Sequence, residues 1–269
     1  MSLPPARYER CLITGASSGL GAEFARQLAP RAGRLVLVAR RRDRLEALAG
    51  ELCEAYGVAC RVEPADLAES AEAESLLARL RESGDGEIDL LVNNAGFGRV
   101  GRLDAFPPED FERMASLNVS ALTTLTLRSW PVLTAVPGRG VIHVASCAGF
   151  QPIPYFAVYA ATKAYVRSLS NGLAVEGRPA GTRVLSLCPG PVATEFGDVA
   201  GLRGASLKGA GTSPAVVRTG IRAYERGRME VIPGWQNRLL AYSTRFVPVA
   251  LTARLAGRVL YALWRRRGA

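Results

Sequence analysis

Tyr159 and Lys163 stand four residues apart in a stretch with helical patterning, so both side chains leave one face of the same turn. A phenol titrates near ~10 in water and is a poor proton donor or acceptor at neutral pH. An ammonium beside it favours the phenolate and draws its pKa toward the working range, which makes the pair an acid–base device. Tyrosine–lysine pairs at this spacing are common by chance, but the chain has 32 arginines and only two lysines, Lys163 and Lys208. Arginine cannot imitate a compact amine of adjustable pKa, so a lysine at position 163 is informative. Ser146, at the end of a strand-like run, can hydrogen-bond a substrate oxygen and steady its developing charge.

A second constellation follows the first strand-like run: Thr14-Gly15-Ala16-Ser17-Ser18-Gly19-Leu20-Gly21, and then a helical pattern. Backbone amides at a helix start, with glycines that add no side-chain bulk, can hold the pyrophosphate of a dinucleotide. A glycine turn without a ligand is the plainer reading, and the strand-before, helix-after context favours binding. The next strand-like run ends in Arg40-Arg41-Arg42, with Arg40 nineteen residues beyond Gly21. NAD sites place a carboxylate there for the ribose 2′-hydroxyl, whereas NADP sites place an arginine for the 2′-phosphate. A guanidinium at Arg40 can hold that phosphate bidentately, so the expected cofactor is NADP(H) rather than a solvated basic turn without a ligand. Tyr159 would then move the proton while the nicotinamide carries the hydride.

The elements that must position these groups are legible as short aliphatic runs alternating with helical patterns, the signature of βαβ units. Strands are predicted over 10–14, 34–39, 59–63, 88–93, 140–145, 183–188 and 229–233. Helices are predicted over 20–29, 43–56, 71–82, 108–130, 155–176 and 214–226. In the second helix Asp43 is expected to cap and Leu45, Leu48 and Leu52 to face the core; Ser213-Pro214 reads as a cap and first helical position. The fold class is therefore α/β: a single doubly wound, Rossmann-type domain with a parallel seven-stranded sheet and helices on both faces. The catalytic domain is placed at 1–235, with a glycine- and alanine-rich lid near 190–212, and 236–269 is a basic amphipathic helical extension.

Taken in order, these motifs resemble those of the short-chain dehydrogenase/reductase family across roughly residues 8–195. The resemblance implies cofactor contacts from Gly15, Ser17, Ser18, Gly19, Leu20 and Gly21, with Asp66-Leu67 at the adenine ring and Asn94-Ala95-Gly96, after Asn93, lining the cofactor. It implies catalytic roles for Ser146, Tyr159 and Lys163, the lysine also binding the nicotinamide ribose, and a water-holding role for Asn118. Pro189-Gly190, Val192 and Thr194 correspond to the loop that closes over the nicotinamide carboxamide. Ala145 departs from the serine that many members carry there, without consequence for the chemistry. A homo-oligomer, dimer or tetramer, is the family's usual assembly.

Composition bounds the alternatives. The net charge of +10 is concentrated at one end: residues 1–199 carry 21 basic and 22 acidic residues, residues 200–269 carry 13 and 2. That asymmetry argues against a nucleic-acid-binding enzyme core. Five cysteines without paired zinc spacing read as reduced core thiols, and no metal site is expected. A strand within ten residues of the start leaves no room for a signal peptide, and no apolar run approaches the ~20 residues of a membrane span. A cytoplasmic protein is expected, with peripheral membrane contact as a variant. His143, the only histidine, invites a triad with Ser146, but without a supporting carboxylate it reads as a packed strand residue. Cys147 is expected to face away from the site.

Phe97, Phe150, Ile153, Tyr155, Phe156 and Phe196 near the expected pocket suit a small hydrophobic carbonyl or alcohol: a ketone, a 3-oxoacyl group or a steroid-like alcohol. In the helical stretch 249–266, Arg254, Arg258 and Arg265 fall on one side and Ala256, Val259, Leu260 and Leu263 on the other, with Arg266 and Arg267 following. Such a helix either packs its apolar side on the protein or a second subunit, or lies on an anionic membrane. The competing readings are a non-catalytic NADP(H)-binding redox sensor, a membrane-surface protein acting through the basic tail, and an epimerase or dehydratase, for which the chain lacks a longer substrate domain.

Overall fold

The alternation of aliphatic strands and amphipathic helices builds a parallel seven-stranded sheet in the computed structural model, which describes residues 8–201 and 211–265. The strands are β1 (Tyr8–Thr14), β2 (Ala32–Ala39), β3 (Ala59–Pro64), β4 (Leu90–Asn93), β5 (Gly140–Val144), β6 (Arg183–Leu187) and β7 (Glu230–Val231), in the order β3-β2-β1-β4-β5-β6-β7. The helices are α1 (Gly19–Leu28), α2 (Arg42–Tyr56), α3 (Glu72–Glu82), α4 (Pro108–Ala115), α5 (Leu122–Ala135), α6 (Ala157–Glu176), α7 (Phe196–Ala200), α8 (Ser213–Glu225), α9 (Trp235–Ser243) and α10 (Val249–Arg265).

Side chains alternate across each strand, so successive residues serve opposite faces. In β1, Cys11 and Ile13 join one core with Phe24 of α1, Leu45 of α2 and Val217 of α8. Leu12 joins the other, with Leu76 of α3, Leu125 of α5 and Leu173 of α6. Strand order reverses where β1 and β4 lie side by side, and a crevice forms there at the carboxyl ends of the strands. The opposite end is tied by buried Asp85, whose carboxylate meets Arg10 of β1 at 3.1 Å, Arg34 of β2 at 2.7 Å and Arg61 of β3 at 3.0 Å.

All seven predicted strands are present, and Leu45, Leu48 and Leu52 are buried as their periodicity requires. Helix starts differ by a residue or two: Arg41, not Asp43, occupies the cap of α2, and Thr212 rather than Ser213 precedes α8. The continuous helix predicted over 108–130 is instead α4 and α5 joined by a π-helical turn, Ser116–Ala121. Within the predicted lid, α7 is helical, Val192 bridges Gly211, and residues 202–210 lie outside the described residues, as do Arg266 and Arg267. No helix among the described residues is long and apolar enough to cross a membrane.

Candidate active site

The carboxyl end of β1 turns at Gly15, whose φ of +67° is open to glycine without strain. Thr14 Oγ1 accepts the backbone amides of Asn94 and Ala95, both at 3.0 Å, and Asn94 Nδ2 donates to Thr14 O at 2.9 Å. The end of β4 is thus stitched to the glycine turn across the switch point. A Cβ on Gly21 would collide with Gly15 O, so only glycine lets α1 start this close to the strand. Ser18 precedes α1 but places no side-chain hydrogen bond on its first turn, leaving the amides of that turn for an anion. This cradle fits a pyrophosphate.

The arginine cluster at the end of β2 is arranged differently from the sequence expectation. Arg40, named for the 2′-phosphate, has a side chain 72% exposed and stands 4.0 Å from Asp66. Arg41 turns inward: its Nη2 donates to Ser17 Oγ at 3.1 Å and Ser18 Oγ at 3.0 Å, and Nη1 donates to Glu195 at 3.0 Å. Arg41 therefore lies directly against the phosphate turn, and Glu195, also bound by Arg44, ties it to the start of α7. Asp66 is held by Ala68 N at 3.1 Å and by Arg113 of α4 at 2.8 Å, beside buried Leu67.

At the ends of β5 and β6 the remaining residues converge. Ser146 accepts from Ala148 N at 3.1 Å, which fixes its hydroxyl, and it lies near enough to Tyr159 to act on its phenol. Tyr159 is buried in α6, with Phe156 stacked at 4.3 Å between ring centres and Phe196 of α7 at 5.4 Å. Lys163 is buried one turn on; its Nζ donates to Val144 O at 2.8 Å and stands 5.7 Å from the centre of the Tyr159 ring. Asn118, in the π turn, accepts from Phe97 N at 3.1 Å and donates to Phe97 O and Thr162 Oγ1. A Cβ on Gly96 would come within 2.9 Å of Asn118 Oδ1 and 3.4 Å of Lys163 Nζ, so Gly96, Asn118 and Lys163 share one spot. Pro189 O accepts from Cys147 N at 2.9 Å, Gly190 packs on Asn237, and the side chain of Thr194 lies next to Gly19.

The electrostatics correct one expectation. Burial pushes the Tyr159 phenol above its usual value, only partly offset by the nearby Ser146 hydroxyl. Lys163 does not draw it down, because the amine is turned onto the Val144 carbonyl. Burial brings Lys163 itself down to about 8, so its charge sits near the edge of the neutral range. His143 is buried and neutral, bonded to Thr126 and Ser170, and held at about 3 by loss of solvent. Burial also lifts the Cys147 thiol to about 11, which removes a thiolate role. The other cysteines are free as expected, although Cys53 is exposed on α2 rather than in the core.

Apolar residues surround Tyr159: Val100, Met114 and Phe156, with Phe97, Ile153 and Phe196 against them, joined by Leu260 and Trp264 of α10. Phe150, expected in this group, turns away to Tyr242 and the Arg167 guanidinium. A cavity of about 670 Å³ opens alongside, lined by Phe111, Pro154, Tyr155 and Val158 with Arg99 and Arg102 at its polar side. Tyr159 does not line it, but Phe111 and Val158 pack in the Tyr159 cluster and connect the two. Tyr155 holds a left-handed φ of 63° and is stacked 5.9 Å from Trp264 and tilted against Tyr261. Sequence reasoning passed over Arg41, Arg113 and Trp264 as site residues. Their signal is spatial: each reaches the site from a separate element, except that Arg41 stood in the arginine triplet.

The short chain dehydrogenase family model matches residues 9–201. A very-long-chain 3-oxoacyl-CoA reductase from Anas platyrhynchos is 31% identical over 207 residues, 74% of this chain and 64% of the relative, so the chain spans under two thirds of that protein. Among solved structures, a short-chain dehydrogenase from Sphingobium yanoikuyae in complex with NADPH aligns with a TM-score of 0.81 at 34% identity, covering 88% of this chain and 92% of its own. A bulky-bulky ketone specific alcohol dehydrogenase from Comamonas testosteroni aligns at 0.75 and 30%, with the same coverage.

Proposed function

This chain belongs to the short chain dehydrogenase family, and from that premise we propose that it is an NADP(H)-dependent oxidoreductase acting on hydrophobic carbonyls, with Tyr159 as the proton donor. The observation that carries the reading is the convergence of three side chains from two elements: Ser146 near enough to Tyr159 to act on its phenol, with the Lys163 amine buried 5.7 Å from the centre of the same ring. When bound, the nicotinamide supplies the hydride chemistry. Gly15, Gly19 and Gly21 would admit its pyrophosphate, Arg41 and Arg40 would hold the 2′-phosphate, and Asp66 would meet the adenine ring.

This chain's own residues do the rest. Ser146 orients a substrate carbonyl through its fixed hydroxyl. Tyr159, kept protonated by burial, gives its proton to the oxygen that becomes the alcohol. Lys163, an ammonium below about pH 8, would turn from the Val144 carbonyl toward the phenolate left behind and stabilise it there. Phe156, Phe196 and Phe97 exclude water around that proton. The cavity's size and largely apolar lining support ketones or 3-oxoacyl groups, the substrate types named for the Anas platyrhynchos reductase and the Comamonas testosteroni enzyme. The homo-oligomer expected of the family is part of the proposal; exposed Leu127 of α5 with Tyr165 and Val175 of α6 offer apolar surface for it.

A redox-sensing module without turnover has no need of a serine, a tyrosine and a lysine packed against one another. The test is NADPH oxidation against ketones, aldehydes and 3-oxoacyl thioesters. Turnover is expected with bulky ketones or 3-oxoacyl substrates and NADPH; no turnover with any of them, or a preference for NADH, overturns the proposal.

A further inference from the structure

The inner and outer faces of α10 have different fates. Inward, Gly257 packs on Pro154, and Leu260 and Trp264 enter the cluster around Tyr159. Outward, Leu251, Leu255 and Val259 recur every four residues in a stripe that no described residue covers, Leu255 being 51% and Val259 59% exposed. Val259, expected on the packed side, is therefore on the surface. Arg254, Arg258 and Arg265 run along one edge of this stripe at four- and seven-residue steps. The preceding turn presents Phe246 at 87% exposure, and α9 leaves Leu239 and Leu240 exposed.

Charge identifies the occupant. From position 231 to 265 there are five arginines, Arg238, Arg245, Arg254, Arg258 and Arg265, and no aspartate or glutamate. None of the five has a carboxylate partner among the described residues. A second copy docking through the same face would bring arginine against arginine, because a two-fold interface sets each patch on itself. A surface that is anionic and apolar together matches both features at once.

We propose that the outer face of α10, with the α9–α10 turn, docks on an anionic phospholipid surface. Leu251, Leu255, Val259 and Phe246 enter the boundary between headgroups and acyl chains, and the arginines hold lipid phosphates. Tyr261 and Trp264 of the same helix pack against Tyr155, which lines the cavity, so docking brings the cavity to within one helix diameter, ~10 Å, of the bilayer. A carbonyl substrate dissolved in lipid then has a short path to Tyr159; this last step rests on the oxidoreductase reading, and the docking does not.

The experiment is co-sedimentation of the full chain with vesicles of phosphatidylcholine alone and of phosphatidylcholine mixed with phosphatidylglycerol. Partition is expected onto the mixed vesicles, weakening as salt rises, and falling roughly fivefold for each arginine neutralised in Arg254→Gln and Arg258→Gln. Leu255→Ser with Val259→Ser should weaken it at every salt concentration. Both pairs of variants keep NADPH oxidation of a water-soluble ketone in lipid-free buffer, since none of these residues touches the cavity. No excess sedimentation with mixed vesicles overturns the proposal, as does full partition by the Arg254→Gln, Arg258→Gln protein. Dissociation of a dimer by these variants without any lipid binding assigns the face to a second copy and also overturns it. Vesicle binding by a chain that oxidises no NADPH leaves docking standing and removes only the enzymatic reading.

Discussion

At the scale of residues, type and spacing singled out Ser146, Tyr159 and Lys163 for the proposed chemistry, and environment decides their state. The four-residue step placed Tyr159 and Lys163 on one face, and the scarcity of lysine singled out position 163. The direction of the tyrosine's shift was not legible, because it depends on what buries the phenol: Phe156 in sequence, but also Met114, Val100 and Phe196 from elsewhere. The sign for pH follows from Lys163. Burial lowers its pKa to about 8, so the ammonium is present on the acid side and lost as pH rises through that value. Tyr159 stays protonated across the same interval. The rate of carbonyl reduction should therefore be level below about pH 8 and fall above it, read as kcat against pH; a rate that rises through this window contradicts the assignment. Arg41 is the second residue-scale case. Its contacts with Ser17 and Ser18 imply that Arg41→Asp weakens NADPH binding roughly 10–100-fold and shifts preference toward NADH, while Arg40→Asp has the smaller effect. Titration of cofactor fluorescence would measure both, and an unchanged NADPH affinity in Arg41→Asp would remove it from the site.

At the scale of elements, the strands were legible because a buried parallel strand is a nearly continuous aliphatic run. The interruption between α4 and α5 was not. Ser116–Ala121 looks like helix by composition, and its extra residue per turn is imposed by Asn118, which bonds both backbone groups of Phe97 on the β4–α4 segment. His143 does similar work across β5, bridging Thr126 of α5 and Ser170 of α6, which is why the only histidine is structural. The support that α10 gives the cavity wall was also hidden, since Trp264 meets Tyr155 over more than a hundred positions of chain. That contact holds Tyr155 in its left-handed backbone, an arrangement costing about 1–3 kcal/mol and sustained by neighbouring packing. Trp264→Ala should let Tyr155 relax and loosen the cavity wall. The KM for bulky ketones is then expected to rise severalfold with little change for acetone-sized substrates. Equal effects on both would mean that α10 supports the fold without shaping the pocket.

At the scale of the whole molecule, the sheet's strand order was legible only as a class. Which strands neighbour β1 is settled by long-range packing, and the reversal between β1 and β4 is what brings Gly15 and Asn94 together. The far end of the sheet is closed by Asp85 and three arginines from separate strands, a contact that no local pattern announces. Removing one partner of a buried ionic group leaves the others uncompensated, so Asp85→Ala is expected to cost about 3 kcal/mol of unfolding free energy in urea titration. A loss below about 1 kcal/mol would place that cluster among ordinary surface pairs. The uneven charge, nearly balanced through residue 199 and basic beyond, separates the proposed reaction centre from the proposed docking surface. The central claim concerns the reaction centre, and the most direct measurement on it is single-turnover NADPH oxidation by Tyr159→Phe beside the parent protein. The phenyl ring keeps the stacking with Phe156 and Phe196 and removes only the hydroxyl. Turnover lower by roughly 10²–10⁴-fold with NADPH affinity unchanged is the predicted result; a rate within a few-fold of the parent would contradict it.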